Sequence, residues 1–99
     1  MRAYRLGREA RRDLHEIWDY IAADSADAAD RSIARLLECF DLIARNPGVG
    51  HLRTDLTLKP LRFWAVDKYV VMYRLQRSIV EIVGAQGGRV TPAFLRRRG

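Results

Sequence analysis

The apolar positions in the first half of the chain recur at the period of an α-helix. A short strand, Tyr4-Arg5-Leu6, is predicted first, and a helix is predicted to begin at Gly7 or Arg8. The residues on its single apolar face are Leu14, Ile17, Trp18 and Ile21. Because large apolar side chains at helical spacing are usually buried, we assign this face, Trp18 included, to the core.

The stretch AADSADAAD separates this helix from a second one. Asp24 or Ser25 is a suitable N-cap, and Asp27 follows where the positive end of the helix dipole favours an acidic side chain. The second apolar face consists of Ile33, Leu36, Leu37, Phe40, Ile43 and Ala44. The helix ends at Asn46-Pro47-Gly48, because proline cannot continue the hydrogen-bond ladder. A link this short makes the two helices antiparallel neighbours.

The second half of the chain changes to short runs that are rich in β-branched and aromatic residues. Strands are predicted at LRFWAV (Leu61–Val66), YVVMYRL (Tyr69–Leu75) and IVEIVGA (Ile79–Ala85), and their brief connections imply an antiparallel meander. The helical hairpin must bury its apolar face on this sheet. The predicted fold class is therefore α+β, in the order β-α-α-β-β-β, with an N-terminal helical hairpin packed on a small, mainly antiparallel sheet.

Length and composition fit one domain over residues 1–99, with a basic C-terminal tail at about 89–99. The chain is 48% hydrophobic and 30% charged, which is typical of a soluble globular protein. No apolar run is long enough to span a bilayer, and no signal-type apolar region follows Met1, so we expect a cytoplasmic location without a membrane. Cys39 is the single cysteine and is interpreted as a small core residue.

The formal net charge of +6 is unevenly distributed. Residues 1–50 hold eight Arg against nine Asp and Glu, whereas residues 51–99 hold ten Lys and Arg against three Asp and Glu. A positive field over one half of the chain indicates a polyanion or an acidic protein as partner. The same charge is also compatible with a role in solubility alone.

Three segments occur in a recognisable order: NPGVGHLRTDL (Asn46–Leu56), LRFWAVDKYVVMYRL (Leu61–Leu75) and QGGR (Gln86–Arg89). Together with the helical hairpin they resemble the RelE/ParE superfamily of bacterial toxin–antitoxin toxins, and more closely its ParE-like branch. The matching positions are Asn46, Pro47, Gly50, Arg53, Asp55, Leu56, Leu61, Arg62, Tyr69, Tyr73 and Arg74. The sequence departs from the branch at Gln86 and Val90, where ParE-like chains often have His and Asp.

The resemblance implies one of two activities. RelE-like toxins cleave messenger RNA on the ribosome with lysines, arginines and a tyrosine, whereas ParE-like toxins inhibit DNA gyrase without a known hydrolytic centre. At the corresponding RelE-like positions this chain has Leu61, Phe63, Val70 and Leu95, and only Arg89 matches. Apolar side chains can neither transfer a proton nor stabilise a phosphorane. The resemblance therefore favours gyrase inhibition by binding, with no catalytic residue, metal or cofactor.

Two alternatives stay open at this point. One is a ribosome-dependent endonuclease with a rearranged site that uses Arg53, Arg74, Arg89 and His51. The other is a diverged member that is retained with its antitoxin as a DNA-binding repressor complex. His15 and His51 are each more simply surface residues, and Glu81 is more simply the partner of a cross-strand ion pair with Arg74 or Arg62.

The residues predicted to bind the target are arginines, which suit carboxylates and phosphates: Arg53, Arg74, Arg89, Arg96, Arg97 and Arg98. For Arg74 an ion pair within the sheet is an equal alternative. For Arg96, Arg97 and Arg98 the alternative is a loosely held tail that only improves solubility. The resemblance further implies a cognate ParD-like antitoxin, whose C-terminal segment folds on the toxin to form a hetero-oligomer. The residues predicted to contact it are Trp64, Tyr69, Met72, Phe94 and Leu95, since Phe63 and Trp64 point to opposite faces of their strand.

Overall fold

The computed structural model describes residues 4–87 and 95–96. The elements, in chain order, are β1 (Tyr4–Leu6), α1 (Arg8–Ala22), α2 (Ala26–Arg45), β2 (His51–Leu52), β3 (Arg62–Val66), β4 (Tyr69–Gln76) and β5 (Ile79–Gly87). The predicted α+β class and the order of its elements are confirmed. One strand was missed: β2 is two exposed residues long, and so short a stretch has no readable periodicity.

The five strands form one sheet in the order β1-β5-β4-β3-β2. β3, β4 and β5 form the predicted antiparallel meander, and β2 adds to its outer edge against β3. β1 pairs in parallel with β5, with Tyr4 opposite Val80 and Leu6 opposite Ile82. A β-bulge between Met72 and Tyr73 interrupts the β4–β5 ladder.

Local chemistry accounts for where the helices begin. The Ser25 side chain accepts a hydrogen bond from the Ala28 N–H at 3.1 Å, and this caps α2 as predicted. Gly7 precedes α1 without a side-chain cap, and its N–H donates to the Ile82 carbonyl of β5 at 2.9 Å. A Cβ atom at Gly7 would lie 3.2 Å from that carbonyl oxygen. The turn from β1 into α1 therefore depends on a residue without a side chain.

The two faces of the sheet both carry apolar clusters. The inner face, which the helices cover, packs Phe40 and Ile43 of α2 against Val71 and Tyr73 of β4 and further residues of β5. The outer face carries a second, smaller cluster made of Leu61, Phe63, Met72, Val83 and Leu95. Phe63 and Trp64 thus point to opposite faces, as the strand period requires.

The assignment of Trp18 to the core is wrong. Its side chain is 36% exposed, and its indole N–H donates to the Asp30 carboxylate at 2.9 Å. The apolar face of α1 is wider than the sheet and α2 can cover together, so Trp18 lies along its rim. No helix within residues 4–87 and 95–96 is long and apolar enough to cross a membrane.

Candidate functional site

The loop that follows α2 is held by a buried tyrosine of β4. The Gly50 N–H donates to the Tyr73 hydroxyl at 2.7 Å, and that hydroxyl donates to the Pro47 carbonyl, also at 2.7 Å. Arg62 adds a hydrogen bond to the Gly50 carbonyl at 2.9 Å. Burial, foremost, raises the pKa of Tyr73 above its ordinary value, so the hydroxyl keeps its proton for this contact. Tyr73 therefore fixes the position at which β2 begins.

Arg53 lies just beyond β2 and is already paired. Its guanidinium makes two hydrogen bonds to the Asp55 carboxylate, at 2.9 and 2.7 Å. The hydrogen bond from Arg53 is the largest cause of the lowered pKa of Asp55. Both side chains are exposed, so a target that uses Arg53 competes only with a solvated ion pair, which is a weak interaction.

Arg74 lies on the outer face and pairs with Glu81 across the β4–β5 ladder. The Arg74 Nε to Glu81 Oε1 distance is 2.8 Å, and Arg5 of β1 approaches the other carboxylate oxygen at 3.7 Å. The predicted cross-strand ion pair is therefore present. The Arg74 side chain is only a quarter exposed, so its first role in the free chain is to join neighbouring strands.

Of the remaining predicted target-binding arginines, the structure describes only Arg96. Arg96 is exposed and lines, with the loop at 56–59, a shallow cleft of about 340 Å³. Arg89, Arg97 and Arg98 lie outside the described residues. Each of the three described arginines thus has different neighbours: Arg53 pairs with Asp55, Arg74 pairs with Glu81, and Arg96 lies beside the loop at 56–59.

The positions at which a RelE-like nuclease carries its catalytic side chains form part of the outer apolar cluster. Leu61 and Leu95 are each 1% exposed and Phe63 is 6% exposed, and Val70 packs against them partly buried. A scissile phosphate has no access to buried side chains, and these have no group that ionises. This cluster is the feature of the site that bears most directly on chemistry.

The predicted antitoxin-binding residues divide by burial. Trp64 and Tyr69 are partly buried against the inner cluster and keep part of their rings at the surface. Met72 and Leu95 are buried at 0% and 1% exposure, because both belong to the outer apolar cluster. In the free chain these two are core residues, which corrects the expectation that they form an open surface. Phe94 lies outside the described residues.

A cleft of about 450 Å³ lies between α1 and the ends of β4 and β5, next to Tyr69. Asp13 lines this cleft, is 4% exposed and accepts a hydrogen bond from the Ala85 N–H at 3.0 Å. A Cβ at Gly87 would lie 3.2 Å from the Tyr69 ring. Asp13 thus ties α1 to β5, and the first glycine of the QGGR segment lets Tyr69 pack closely.

The sequence interpretation missed a groove on the helical hairpin. The residues that line it are Leu6, Arg11, Leu14, His15, Trp18, Ile33 and Leu37, and we call it the hairpin groove. Its volume is about 410 Å³, and Trp18 and Leu37 are among the exposed large apolar side chains of the chain. The sequence signal for this groove was the width of the apolar face of α1, where Leu14 and Trp18 lie one turn apart on one side of the helix.

The histidines give no sign of a catalytic arrangement. His15 lines the hairpin groove, and His51 is exposed with its ring 6.5 Å from the Trp64 ring. Within the part of the chain that the structure describes, no three His, Cys, Asp or Glu side chains cluster closely enough to hold a metal ion. Cys39 is buried, and its burial raises the pKa of the thiol to about 11.

The comparisons with known proteins agree with this architecture. Residues 4–85 match the family model described as the ParE toxin of the type II toxin–antitoxin system, parDE. The match covers most of the chain, so the chain belongs to the ParE toxins of type II toxin–antitoxin systems. This confirms the resemblance inferred from the sequence, and the family implies an antitoxin partner.

Among solved structures, a chain of the chromosomal ParDE TA system from P. aeruginosa is similar to this one. The TM-score is 0.75 and the identity is 16%, over 90% of this chain and 98% of that one. At this identity the likeness concerns the fold. No curated protein matches the sequence.

Proposed function

We propose that this ParE-type toxin inhibits DNA gyrase by binding to it, and that a cognate ParD-like antitoxin neutralises the toxin in the cytoplasm as a hetero-oligomer. The observation that carries the proposal is the outer apolar cluster. Leu61, Phe63 and Leu95 pack there as core residues, at the positions where an RNA-cleaving relative requires cations and a proton donor. A toxin with this face must act by occupying its target.

The surface that binds gyrase is proposed to include the exposed basic side chains near β2 and the end of the chain. Arg53 is exposed beside β2, and Arg96 is exposed beside the loop at 56–59. Arg89, Arg97 and Arg98 extend the same basic composition, and Arg74 contributes only if its pair with Glu81 opens. Guanidinium groups pair with carboxylates through two parallel hydrogen bonds, which suits contact with an acidic protein surface.

The competing function, a ribosome-dependent endonuclease, has less support. It requires Arg53, Arg74 and His51 to act together on one phosphate. Arg53 is paired with Asp55, Arg74 is paired with Glu81, and the two ion pairs lie on different elements. Arg89 is the only residue of the RelE-like set that this sequence keeps.

The deciding experiment measures gyrase supercoiling with purified, antitoxin-free protein, next to ribosome-dependent cleavage of messenger RNA. We expect loss of supercoiling at stoichiometric toxin and no transcript cuts. Codon-specific cuts with unaffected supercoiling would overturn the proposal. The variant with alanine at Arg89, Arg96, Arg97 and Arg98 is expected to inhibit at least tenfold less, on the scale of several lost charge-assisted hydrogen bonds.

A matched control removes the same charge from exposed arginines of the helices. Alanine at Arg8, Arg12, Arg31 and Arg45 lowers the net charge by the same amount without touching the basic half of the chain. Inhibition that falls equally in both variants would mean that only total charge matters. Inhibition unchanged in the first variant would remove these arginines from the target surface.

The antitoxin is proposed to lay a helix in the hairpin groove. The groove exposes large apolar side chains that an isolated soluble domain rarely leaves together, and its rim carries Arg11 beside His15. An amphipathic helix with acidic flanks suits both features. Trp64 and Tyr69 remain the alternative contact, on the β3–β4 hairpin.

α2 offers a matched pair of variants for this contact. Leu37 is 38% exposed inside the groove, and Leu42 is 37% exposed outside it. Leu37→Glu is expected to weaken the antitoxin complex at least a hundredfold in a titration, because it buries an unpaired charge, whereas Leu42→Glu leaves affinity unchanged. Equal affinities for both variants, with loss in Trp64→Ala or Tyr69→Ala, would move the contact to the β3–β4 hairpin.

A further inference from the structure

The tip of the β4–β5 hairpin forms a small basic concavity against β1. Arg5, Gln76, Arg77 and Ile79 line it, and its volume is about 410 Å³. We call these residues, with Ser78 of the turn, the tip site. It lies at the opposite end of β5 from the cleft beside Tyr69, and none of its residues belongs to the hairpin groove or to the predicted target-binding arginines.

The positive charge at the tip site is not balanced. Glu81 is the carboxylate next to it, and its Oε1 is taken by Arg74 at 2.8 Å. Arg5 reaches only 3.7 Å from the other oxygen of Glu81 and 3.4 Å from the Gln76 side-chain oxygen. Arg77 has no hydrogen bond or ion pair with any described residue. Arg5 and Arg77 therefore have guanidinium donors to spare.

The side chain of Gln76 also presents a donor. Its oxygen faces Arg5, so its amide NH₂ group points away from that guanidinium. With Ser78, the tip site combines two guanidinium groups, an amide and a hydroxyl. These are the side-chain types that contact phosphate oxygens in protein–DNA interfaces.

The turn itself is built against local preference. Gln76 pairs with Ile79, so the loop consists of Arg77 and Ser78 alone, with φ values of 51° and 69°. Such two-residue turns favour Asn-Gly, because both positions lie in the left-handed region. Arg77 and Ser78 hold this left-handed conformation although neither is a preferred residue for it. Residues kept in such strained conformations are often found in functional segments.

We propose that the tip site binds the phosphate backbone of duplex DNA. The exposed guanidinium groups of Arg5 and Arg77 line one concavity, and they suit the acceptor oxygens of adjacent phosphates. The residues that line the concavity include no aromatic ring, which recognition of unstacked bases in single-stranded RNA would use. The proposed contact is sequence-independent, because phosphate oxygens carry no direct information on base sequence.

This proposal is independent of gyrase inhibition. A toxin that contacts DNA directly acts at the DNA-bound enzyme more readily, but the binding itself needs no gyrase. The test therefore contains only toxin and nucleic acid. Its failure leaves the gyrase proposal unaffected, and failure of the supercoiling assay leaves this one unaffected.

The experiment is fluorescence anisotropy of a labelled 30-base-pair duplex with the full chain, at several salt concentrations. The variant Arg77→Asn with Ser78→Gly removes the arginine and the hydroxyl and installs the preferred turn. We expect its melting temperature to rise while DNA binding weakens about tenfold. The negative slope of log K against log salt should decrease in magnitude by about one. Adding Arg5→Gln is expected to lower the slope by about one more.

The matched control is Arg31→Gln, which removes one charge from an exposed arginine of α2. It is expected to bind DNA as the parent chain does. No measurable binding by the parent chain, or equal weakening in the tip variant and in Arg31→Gln, would overturn the proposal. Tip-dependent binding that is stronger for single-stranded RNA or for polyglutamate than for the duplex would overturn it as well.

Discussion

The two faces of the sheet are built from the same alternating strands but are covered in different ways. The inner face lies under two helices that contribute Leu36, Phe40 and Ile43 to its cluster. The outer face is closed at its centre by Leu95 and by Leu56 of the loop after β2, and toward the β4–β5 tip it becomes charged, with Arg74 and Glu81. A sheet face can therefore be apolar at its centre where neither α1 nor α2 covers it.

This difference bears on the proposed function, because the positions compared above with RelE-like toxins lie on the outer face. In the function proposed above, closure of that face by Leu61, Phe63 and Leu95 leaves no open cationic surface for phosphate chemistry. The inner face has the ordinary task of stability. Substitutions on the two faces should therefore have different effects, and four measurements test this difference.

The largest effect is expected from Phe40→Ala on the inner face. Phe40 is fully buried and meets the Tyr4 ring edge-on at 5.5 Å, so its loss should lower the free energy of unfolding by roughly 3–5 kcal/mol. Urea unfolding measures this, with Leu58→Ala, at a leucine 91% exposed, as the control. Should Phe40→Ala not fold, Phe40→Leu gives a smaller loss in the same direction. A loss in Phe40→Leu no larger than in the control would contradict the assignment.

Leu95→Ala probes closure of the outer face. We expect a loss of roughly 2–3 kcal/mol, near the low end for buried leucines, because the smaller cluster can collapse more easily. Cys39 supplies a second readout, since its thiol is buried in the inner cluster. Iodoacetamide labelling at pH 8 should stay slow in Leu95→Ala and become fast in an inner-face variant. Equally fast labelling in both would show that the faces open together.

Tyr73→Phe tests whether the inner face also holds the loop that leads to β2. The change leaves the buried Gly50 N–H without its acceptor, so we expect a loss of about 1–3 kcal/mol and faster hydrogen exchange at the Gly50 amide. Tyr20→Phe, at a tyrosine 82% exposed, is the matched control. Unchanged exchange at Gly50 would separate the loop from the core.

The smallest effect is a pH dependence in the alkaline range. The pKa of Tyr73 lies above its ordinary value of 10.0, so the folded state holds this proton more tightly than the unfolded state. That contribution to stability is complete below pH 10 and is lost as the pH rises through the folded pKa. The free energy of unfolding should therefore fall above pH 10, and fall less steeply in Tyr73→Phe.

The remaining alkaline slope belongs to other groups. Burial also raises the pKa of Tyr4, of Tyr69 and of the Cys39 thiol. Cys39→Ala should remove the thiol's part of the slope without changing the part that depends on Tyr73. An identical slope in the parent chain and in Tyr73→Phe would show that Tyr73 does not titrate with folding.

The sequence was sufficient for every element except β2, because periodicity and capping are local. Ser25 caps α2 and Asn46-Pro47-Gly48 ends it, as their residue types require. The ion pair of Arg74 with Glu81 followed from strand alternation once the meander was recognised. Family membership followed from the order of short segments along most of the chain.

What the sequence did not reveal depends on tertiary geometry. Trp18 fits the helical spacing of the apolar positions in α1. Only the packing of the hairpin shows that this apolar face is wider than the surface that the sheet and α2 cover. The pairing of Arg53 with Asp55 requires a loop conformation that no period describes. The left-handed turn at Arg77 and Ser78 was hidden because neither residue is typical of that turn.

The parallel pairing of β1 with β5 has a consequence for synthesis of the toxin. Tyr4 is translated long before Val80, its partner across the sheet, so this pairing cannot form until most of the domain has been made. The helical hairpin of α1 and α2 is synthesised before β3, β4 and β5 of the sheet on which it packs. The sheet that supports the hairpin is therefore completed only late in synthesis.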